Sequence, residues 1–174
     1  MKEVNKIAFV IGHTQKDKGA YSTHLKKSEW QLFKDLENEL MEIGDVFYHE
    51  PTIKSYKQRQ TETAQLTYNY KTVIELHFNS FHTENANGAE VLHYFSSVRG
   101  KVLANQFFEL WCKRTGIKNR GAKAVNLGSG GEFLRRTKGT ALLLEPFFGS
   151  NFEDCEKWNQ ESFIDVLKEF CKEL

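Results

Sequence analysis

The chain of 174 residues lacks a long apolar run, a paired-cysteine motif and a large net charge. No hydrophobic stretch approaches the roughly 20 residues of a membrane-spanning helix, so membrane insertion is not expected. The formal net charge of +1 gives no electrostatic reason to expect a nucleic acid as a partner. Cys112, Cys155 and Cys171 are odd in number and form no C-x-x-C, which argues against a disulfide framework or a thiolate zinc site. We expect buried, unreactive thiols.

The N-terminal sequence also lacks the features of a Sec signal peptide. The apolar part of MKEVNKIAFVIGH is too short for a signal core, and Gly12-His13 is typical of a strand that ends in a loop. We therefore expect a protein made in the cytoplasm without a Sec signal peptide.

Apolar strand patterns alternate with helical patterns along the whole chain. With 40% hydrophobic and 13% aromatic residues, the length suits a single domain covering residues 1–174. One helical pattern runs from Trp30 to Ile43, and a more polar one covers residues 55–71, with Tyr56, Leu66 and Tyr70 as its expected inner residues. Alternation of this kind predicts an α/β fold, a three-layer sandwich with a twisted, largely parallel sheet and helices on both faces.

Three of the predicted strands end in polar groups of related chemistry. KIAFVIGH ends in His13, VIELH in His77 and ALLLE in Glu145. In open α/β sheets, sites lie at the carboxyl ends of the strands. We therefore expect these side chains to meet at one edge of the sheet.

Two histidines and a carboxylate suit a catalytic zinc site, which usually takes three protein ligands and leaves a fourth position open. Spacing alone does not decide which glutamate is the ligand. Glu29 opens the first helix, Glu75 lies on the same strand face as His77, and Glu145 follows four apolar residues. A half-buried Glu145 with a raised pKa suits a general base.

The order of several segments resembles the zinc-dependent N-acetylmuramoyl-L-alanine amidases of cell-wall remodelling enzymes, spore-wall hydrolases and phage endolysins. The segments that carry the resemblance are Gly12-His13, Glu29 at a helix start, His77-x-Asn79-Ser80, Gly88-x-Glu90-Val91, Asn119-Arg120-Gly121-x-Lys123 and Glu145-x-x-Phe148-x-Ser150-Asn151. They span nearly the whole chain, and the resemblance implies a phosphorylase/hydrolase-like sandwich.

The resemblance also implies roles for individual residues. His13, Glu29 and His77 would bind Zn²⁺, and Glu145 would be the catalytic carboxylate. The sequence departs from the family where Thr14-Gln15 replace Gly-Gly, and where Glu75 stands in place of a small residue.

Asn79 and Arg136 are candidate substrate-binding residues. Asn79 either orients its loop and substrate or is a turn residue that bonds its own backbone. Arg136 lies in a stretch from Arg99 to Lys138 with ten basic residues against two acidic ones. Such a stretch is usually a solvated face, but near a peptidoglycan site it attracts carboxylates. Among the other histidines, we expect His93 to be packed and His49 to lie in a turn.

These observations favour a zinc amidase that cleaves between N-acetylmuramic acid and L-alanine in peptidoglycan, the bond being implied by the resemblance. The alternatives are a zinc peptidase or carboxypeptidase on a related scaffold and a non-catalytic peptidoglycan-binding domain. The expected place of action is the cell wall, either as a bacteriolytic phage endolysin released by a holin or as a host enzyme exported by another route.

Overall fold

The computed structural model describes residues 7–128 and 130–174. Lys6, with which the first predicted strand begins, lies outside the described residues. The main sheet has six strands in the spatial order β4-β1-β5-β8-β6-β7. The strands are β1 (Ile7–Ile11), β4 (Asp45–Tyr48), β5 (Thr72–Leu76), β6 (Ala89–Tyr94), β7 (Asn119–Val125) and β8 (Thr140–Glu145), and a separate two-stranded ribbon holds β2 (Tyr21–Ser22) and β3 (Lys27–Ser28).

Seven helices connect or follow these strands in the described residues. They are α1 (Glu29–Lys34), α2 (Glu37–Met41), α3 (Tyr56–Leu66), α4 (Val98–Thr115), α5 (Gly131–Arg136), α6 (Phe152–Lys157) and α7 (Gln160–Lys172). The longest, α4, is preceded by the cap residue Ser97, whose hydroxyl accepts a hydrogen bond from Gly100 N. It is followed by Gly116 in the left-handed region (φ 68°), a conformation that favours glycine because glycine has no Cβ.

Most neighbouring strands run parallel. The pairs β4–β1, β1–β5 and β5–β8 are all parallel, so the carboxyl ends of β1, β5 and β8 lie at one edge. Strand β6 runs antiparallel to β8, and β7 is parallel to β6. The amino end of β6 therefore lies at the same edge as the carboxyl end of β8.

Both faces of the sheet are covered, but unequally. Phe9 and Ile11 of β1 face the larger core, whose buried aromatic residues come mainly from α4 and α7. Ala8 and Val10, which alternate with them, face a small cluster with Ala64 of α3 and Phe133 of α5. This arrangement confirms the predicted α/β sandwich. The inner strand β1 is apolar on both faces because both of its faces are buried.

The predicted helix from Trp30 to Ile43 is divided in two. Leu36 N donates to Phe33 O, three residues back, and so the helical hydrogen-bond ladder shifts between α1 and α2. The carboxylate of Asp35, at the end of α1, accepts hydrogen bonds from Lys27 Nζ and Gln31 Nε2. The single expected helix is therefore two short ones, α1 and α2.

The expected inner residues of the polar helix are wrong for Tyr56 and Leu66, whereas Tyr70 lies beyond the end of α3 and is half-buried against the small cluster of Ala8 and Val10. Tyr56 is 44% exposed and Leu66 is 61% exposed. The buried positions are instead Gln60, Thr63 and Ala64. The helix turns a mainly polar face inwards because it packs over buried polar groups, among them His49, which bonds Thr63.

The basic stretch from Arg99 to Lys138 contains most of α4 together with β7 and α5. The three cysteines are free thiols; Cys155 and Cys171 are buried and Cys112 is half-buried. Within residues 7–128 and 130–174, no helix has both the length and the apolar character needed to cross a membrane.

Candidate active site

Three side chains meet where β1, β5 and the start of α1 approach one another. His13 lies just after β1, His77 just after β5, and Glu29 is the first residue of α1. Glu29 Oε2 is 3.1 Å from His13 Nε2 and 3.0 Å from His77 Nδ1. Each of the three residues offers one ligand atom, and these atoms lie within 4.8 Å of one another. The cluster has the size of a metal site.

Two glycines make room for the histidine rings. A Cβ on Gly12 would lie 2.5 Å from Nε2 and Cε1 of His77. A Cβ on Gly19, which has φ +73°, would lie 2.5 Å from Nε2 of His13. His13 itself has a left-handed backbone (φ 65°), a conformation uncommon for a residue with a side chain. The backbone therefore approaches both rings more closely than a side chain would allow.

The charges in this cluster favour a cation. Burial would raise the pKa of Glu29, but hydrogen bonds with His13 and His77 outweigh burial and lower the pKa to about 2. Burial would likewise lower the pKa of His77, but hydrogen bonds with Glu29 and Glu75 raise it. Glu29 therefore stays ionised, and positive charge is held between carboxylates.

Glu145 ends β8 at the same sheet edge but in a different environment. Burial raises its pKa to about 7, and the negative charges of Glu90 and Glu29 add to this effect against the opposing charges of His77 and Arg120. Asn79 Nδ2 donates to Glu145 Oε2 at 2.8 Å. Glu145 is therefore a carboxylate that can take up a proton near neutral pH.

Glu90 is a site residue whose position was not predicted. It pairs with Glu145 in the antiparallel register of β6 and β8. One of its oxygens binds Arg120 Nε, and the other lies 3.3 Å from Asn79 Nδ2. The sequence showed Glu90 only as part of a motif, because the direction of β6 could not be read from its alternation.

The loops after β5 and β8 are hydrogen-bonded to each other. Asn79 N donates to Phe147 O at 3.0 Å, and Gly149 N donates to Asn79 O at 2.8 Å. The loop after β8 is also bonded to α4, because Trp111 Nε1 donates to Pro146 O at 2.7 Å. The backbone that carries Asn79 is thus fixed to the backbone that follows Glu145.

An open cleft of about 680 Å³ joins these groups. Its lining includes His13, Glu29, His77, Asn79, Glu90 and Glu145. This volume lies within the usual range for ligand pockets. A molecule that binds in the cleft would therefore contact both the cluster of potential metal ligands and the proton-accepting carboxylate.

A family model described as N-acetylmuramoyl-L-alanine amidase matches residues 7–172. The chain belongs to the N-acetylmuramoyl-L-alanine amidase family. It is a cell-wall amidase, and the resemblance read from the motifs is confirmed. No curated protein matches the chain in a sequence search.

Solved amidase structures share the fold of this amidase. The catalytic domain of the CD27L endolysin, which targets Clostridia difficile, is 25% identical with a TM-score of 0.78, over 98% of both chains. The catalytic domain of the amidase CwlV from Bacillus (Paenibacillus) polymyxa var. colistinus is 21% identical with a TM-score of 0.77, over 98% of this chain and 97% of that one. The amidase AmiC2 of Nostoc punctiforme is 22% identical with a TM-score of 0.72, over 96% and 94%.

Not every predicted site residue of the amidase reaches the cleft. Arg136 Nε binds Glu132 Oε2 on its own helix, at 2.9 Å, and lines a separate depression with residues of α3. Glu75, the rival metal ligand, lies beside the cluster rather than in it, and its oxygen faces His77 Nε2 at 3.4 Å. Asn79 lines the cleft, where its side chain contacts both Glu145 and Glu90.

The remaining histidines of the amidase differ from one another. His93 is buried, as expected, and its Nδ1 lies 3.0 Å from Tyr94 O. The expectation that His49 is a turn residue is wrong, because it is 3% exposed and bonds Glu75 and Thr63. His24 lies 3.4 Å from Glu84, and the ring of His82 packs against Phe81.

Proposed function

We propose that this amidase is a zinc enzyme in which residues 1–174 act as a single catalytic domain. His13, Glu29 and His77 hold Zn²⁺, and Glu145 is the general base. The observation that carries this proposal is the pairing, in one cleft, of three ligand atoms within 4.8 Å of one another with a carboxylate whose pKa is raised to about 7.

The residues fit zinc in their chemistry. Two imidazoles and one carboxylate are the ligand types of catalytic zinc sites, which keep one position open for water or substrate. Each histidine presents a single nitrogen to Glu29 Oε2, at 3.1 Å for His13 and 3.0 Å for His77. The carboxylate of Glu29 stays ionised, as a ligand must.

Zinc, when bound, supplies a Lewis acid that polarises the scissile carbonyl and the attacking water. Glu145 accepts the proton of that water, which frees the oxygen to attack the carbonyl carbon. The same carboxyl group then gives the proton to the leaving nitrogen of L-alanine as the amide bond breaks. Asn79 Nδ2, at 2.8 Å, holds Glu145 Oε2 in place during both transfers.

The substrate is the muramoyl-peptide amide of peptidoglycan, and the place of action is the cell wall. We further propose bacteriolytic activity of the endolysin kind. The 25% identity with the CD27L catalytic domain over 98% of both chains supports this context. Purified protein added to susceptible cells should then lower the turbidity of the suspension, whereas a remodelling enzyme would release muropeptides without lysis.

Metal analysis of the purified protein tests the zinc proposal directly. We expect one zinc per chain in the wild type and none in His77→Ala. His93→Gln is the matched control, because His93 is buried in β6 without being one of the proposed ligands. Full zinc content in His77→Ala would remove His77 from the site.

A substrate comparison tests the reaction. The zinc-loaded protein should cleave a muramoyl peptide and leave a plain peptide of the same sequence intact. Cleavage of both at equal rates would indicate a peptidase instead.

A further inference from the structure

Glu75 is a charged residue in the middle of the sheet. It lies in β5 between β1 and β8, paired in register with Val10 and Leu143, and is only 2% exposed. Burying a carboxylate is expensive unless hydrogen bonds or opposite charges compensate it. The groups that contact Glu75 therefore indicate the role of its carboxylate.

One of these contacts is with Nε2 of His77, the ring nitrogen that does not face Glu29. His77 presents Nδ1 to Glu29 Oε2 and Nε2 to Glu75 Oε1, at 3.0 Å and 3.4 Å. The nitrogen that faces the ligand cluster is thus Nδ1, and the opposite nitrogen faces a carboxylate. An imidazole that binds a metal through one nitrogen carries its proton on the other and donates it to an oriented acceptor.

The second contact holds Glu75 itself. His49 Nε2 lies 2.8 Å from the same Oε1 of Glu75, and His49 Nδ1 lies 2.8 Å from Thr63 Oγ1. Thr63 Oγ1 in turn donates to Arg59 O at 3.1 Å, which holds the hydroxyl against α3. His49 therefore connects Glu75 to α3.

We propose that Glu75, held in turn by His49 and Thr63, positions the His77 ring so that Nδ1 faces the metal. The inference rests on the proposed zinc site. It explains why α3 turns Thr63 inwards, and why a histidine after β4 reaches across β1 to β5. Glu75 is a positioning residue, since it contacts the ligand His77 and not the reacting atoms.

The test measures zinc affinity by competition with a chromophoric chelator, so that its result does not depend on activity. Loss of a group that orients a metal ligand typically weakens metal affinity by about 10–100-fold. We expect this loss in Glu75→Gln, whose amide has the same shape but no charge. Replacing zinc by Co²⁺ should also give an altered visible spectrum in this variant, because the ring orientation changes the ligand field.

His93→Gln is the matched control. It replaces a histidine as deeply buried as His49, at 3% exposed, whose Nδ1 lies 3.0 Å from Tyr94 O. Its zinc affinity and cobalt spectrum should match those of the wild type. A loss there as large as in Glu75→Gln would show a general effect of core substitutions and would overturn the proposal.

His49→Gln provides a second measurement should Glu75→Gln fold poorly. It leaves the contact between Glu75 and His77 in place and removes only the support behind it, so we expect a smaller loss of zinc affinity. Wild-type affinity in folded Glu75→Gln, or in His49→Gln when Glu75→Gln does not fold, would overturn the proposal. A wild-type protein that binds no zinc would instead overturn the zinc site itself.

Discussion

Glu29 and Glu145 line the same cleft, yet their affinities for a proton differ widely. Burial would raise the pKa of both carboxyl groups. At Glu29 the hydrogen bonds with two imidazoles reverse this effect, and the pKa falls to about 2. At Glu145 nothing of similar strength opposes burial, and the pKa rises to about 7. Neighbouring groups, rather than burial, separate a carboxylate suited to a metal from one suited to a proton.

The same substitution at both positions is the sharpest test of this difference. Glu29→Gln should show the largest effect, since an amide oxygen is a poor replacement for a carboxylate ligand. We expect zinc and amidase activity to be lost together, down to the level of chelated protein. Zinc content and muropeptide hydrolysis, measured on the same preparation, check this. A Glu29→Gln protein with full zinc content would show that the ligand carboxylate lies elsewhere.

Glu145→Gln should keep its zinc but lose most of its hydrolytic activity. The amide can still accept the hydrogen bond from Asn79 but cannot take a proton from water. Turnover should fall by about 10²–10⁴-fold, the usual contribution of general acid–base catalysis. Zinc content should equal that of the wild type. If Glu145→Gln cleaved muropeptide at the wild-type rate, Glu145 would have no part in the mechanism.

Gly12→Ala should disturb the proposed zinc ligand His77 and leave Glu145 in place. Its Cβ would lie 2.5 Å from the His77 ring and from Leu76 O, so the ring must move. We expect zinc affinity to fall by about 10-fold or more and stability to fall by about 1–3 kcal/mol, as for other overpacked sites. Chelator competition and thermal unfolding measure the two effects.

Gly116→Ala is the control for that variant. It imposes a side chain at φ 68° just after α4, where the described residues other than the chain neighbours of Gly116 place no atom within 4 Å of the added Cβ. The left-handed backbone alone should lower the stability of this variant by about 1–2 kcal/mol. Its zinc affinity should be unchanged. Equal zinc affinity in the two variants would mean that Gly12 is not needed for the ligand geometry.

The pH dependence of kcat/KM should show the smallest effect. A general base acts only when ionised, so activity should fall as the pH falls through the pKa of Glu145. That pKa is raised from 4.5 to about 7, and a bound cation would lower it, so the acid limb should lie between these values. Glu90→Gln removes a neighbouring negative charge and should shift the limb to lower pH. A limb at or below 4.5 in the wild type would contradict the raised pKa.

The edge of the sheet where the site lies was predictable because it depends on local patterns. Strands β1, β5 and β8 are mainly apolar, and the polar residue that follows or ends each strand marks its carboxyl end. Parallel pairing then brings His13, His77 and Glu145 to one edge. The three-layer fold followed from the same alternation of strands and helices.

The contacts around Glu75 could not be predicted, because they join segments far apart in the chain. His49 follows β4, which is separated from β5 by β1, and Thr63 comes from the helix above. The sequence around His49 predicts a turn, and the sequence around Thr63 predicts a polar surface helix. Only the packed structure shows that the polar face of α3 points inwards, and only the register shows that β6 brings Glu90 beside Glu145.

The paired loops after β5 and β8 have a consequence for how the site moves. Asn79 receives a hydrogen bond from Gly149 N and gives one to Phe147 O, and Phe81 N donates to Ser150 Oγ at 3.0 Å. Neither loop can therefore leave its place without breaking contacts to the other. Proteins open locally in cooperative units, and these two loops should form one such unit. Amide hydrogen exchange at Asn79 and Gly149 should report the same opening free energy, so that His77 and Glu145 are uncovered together and neither half of the site is exposed alone.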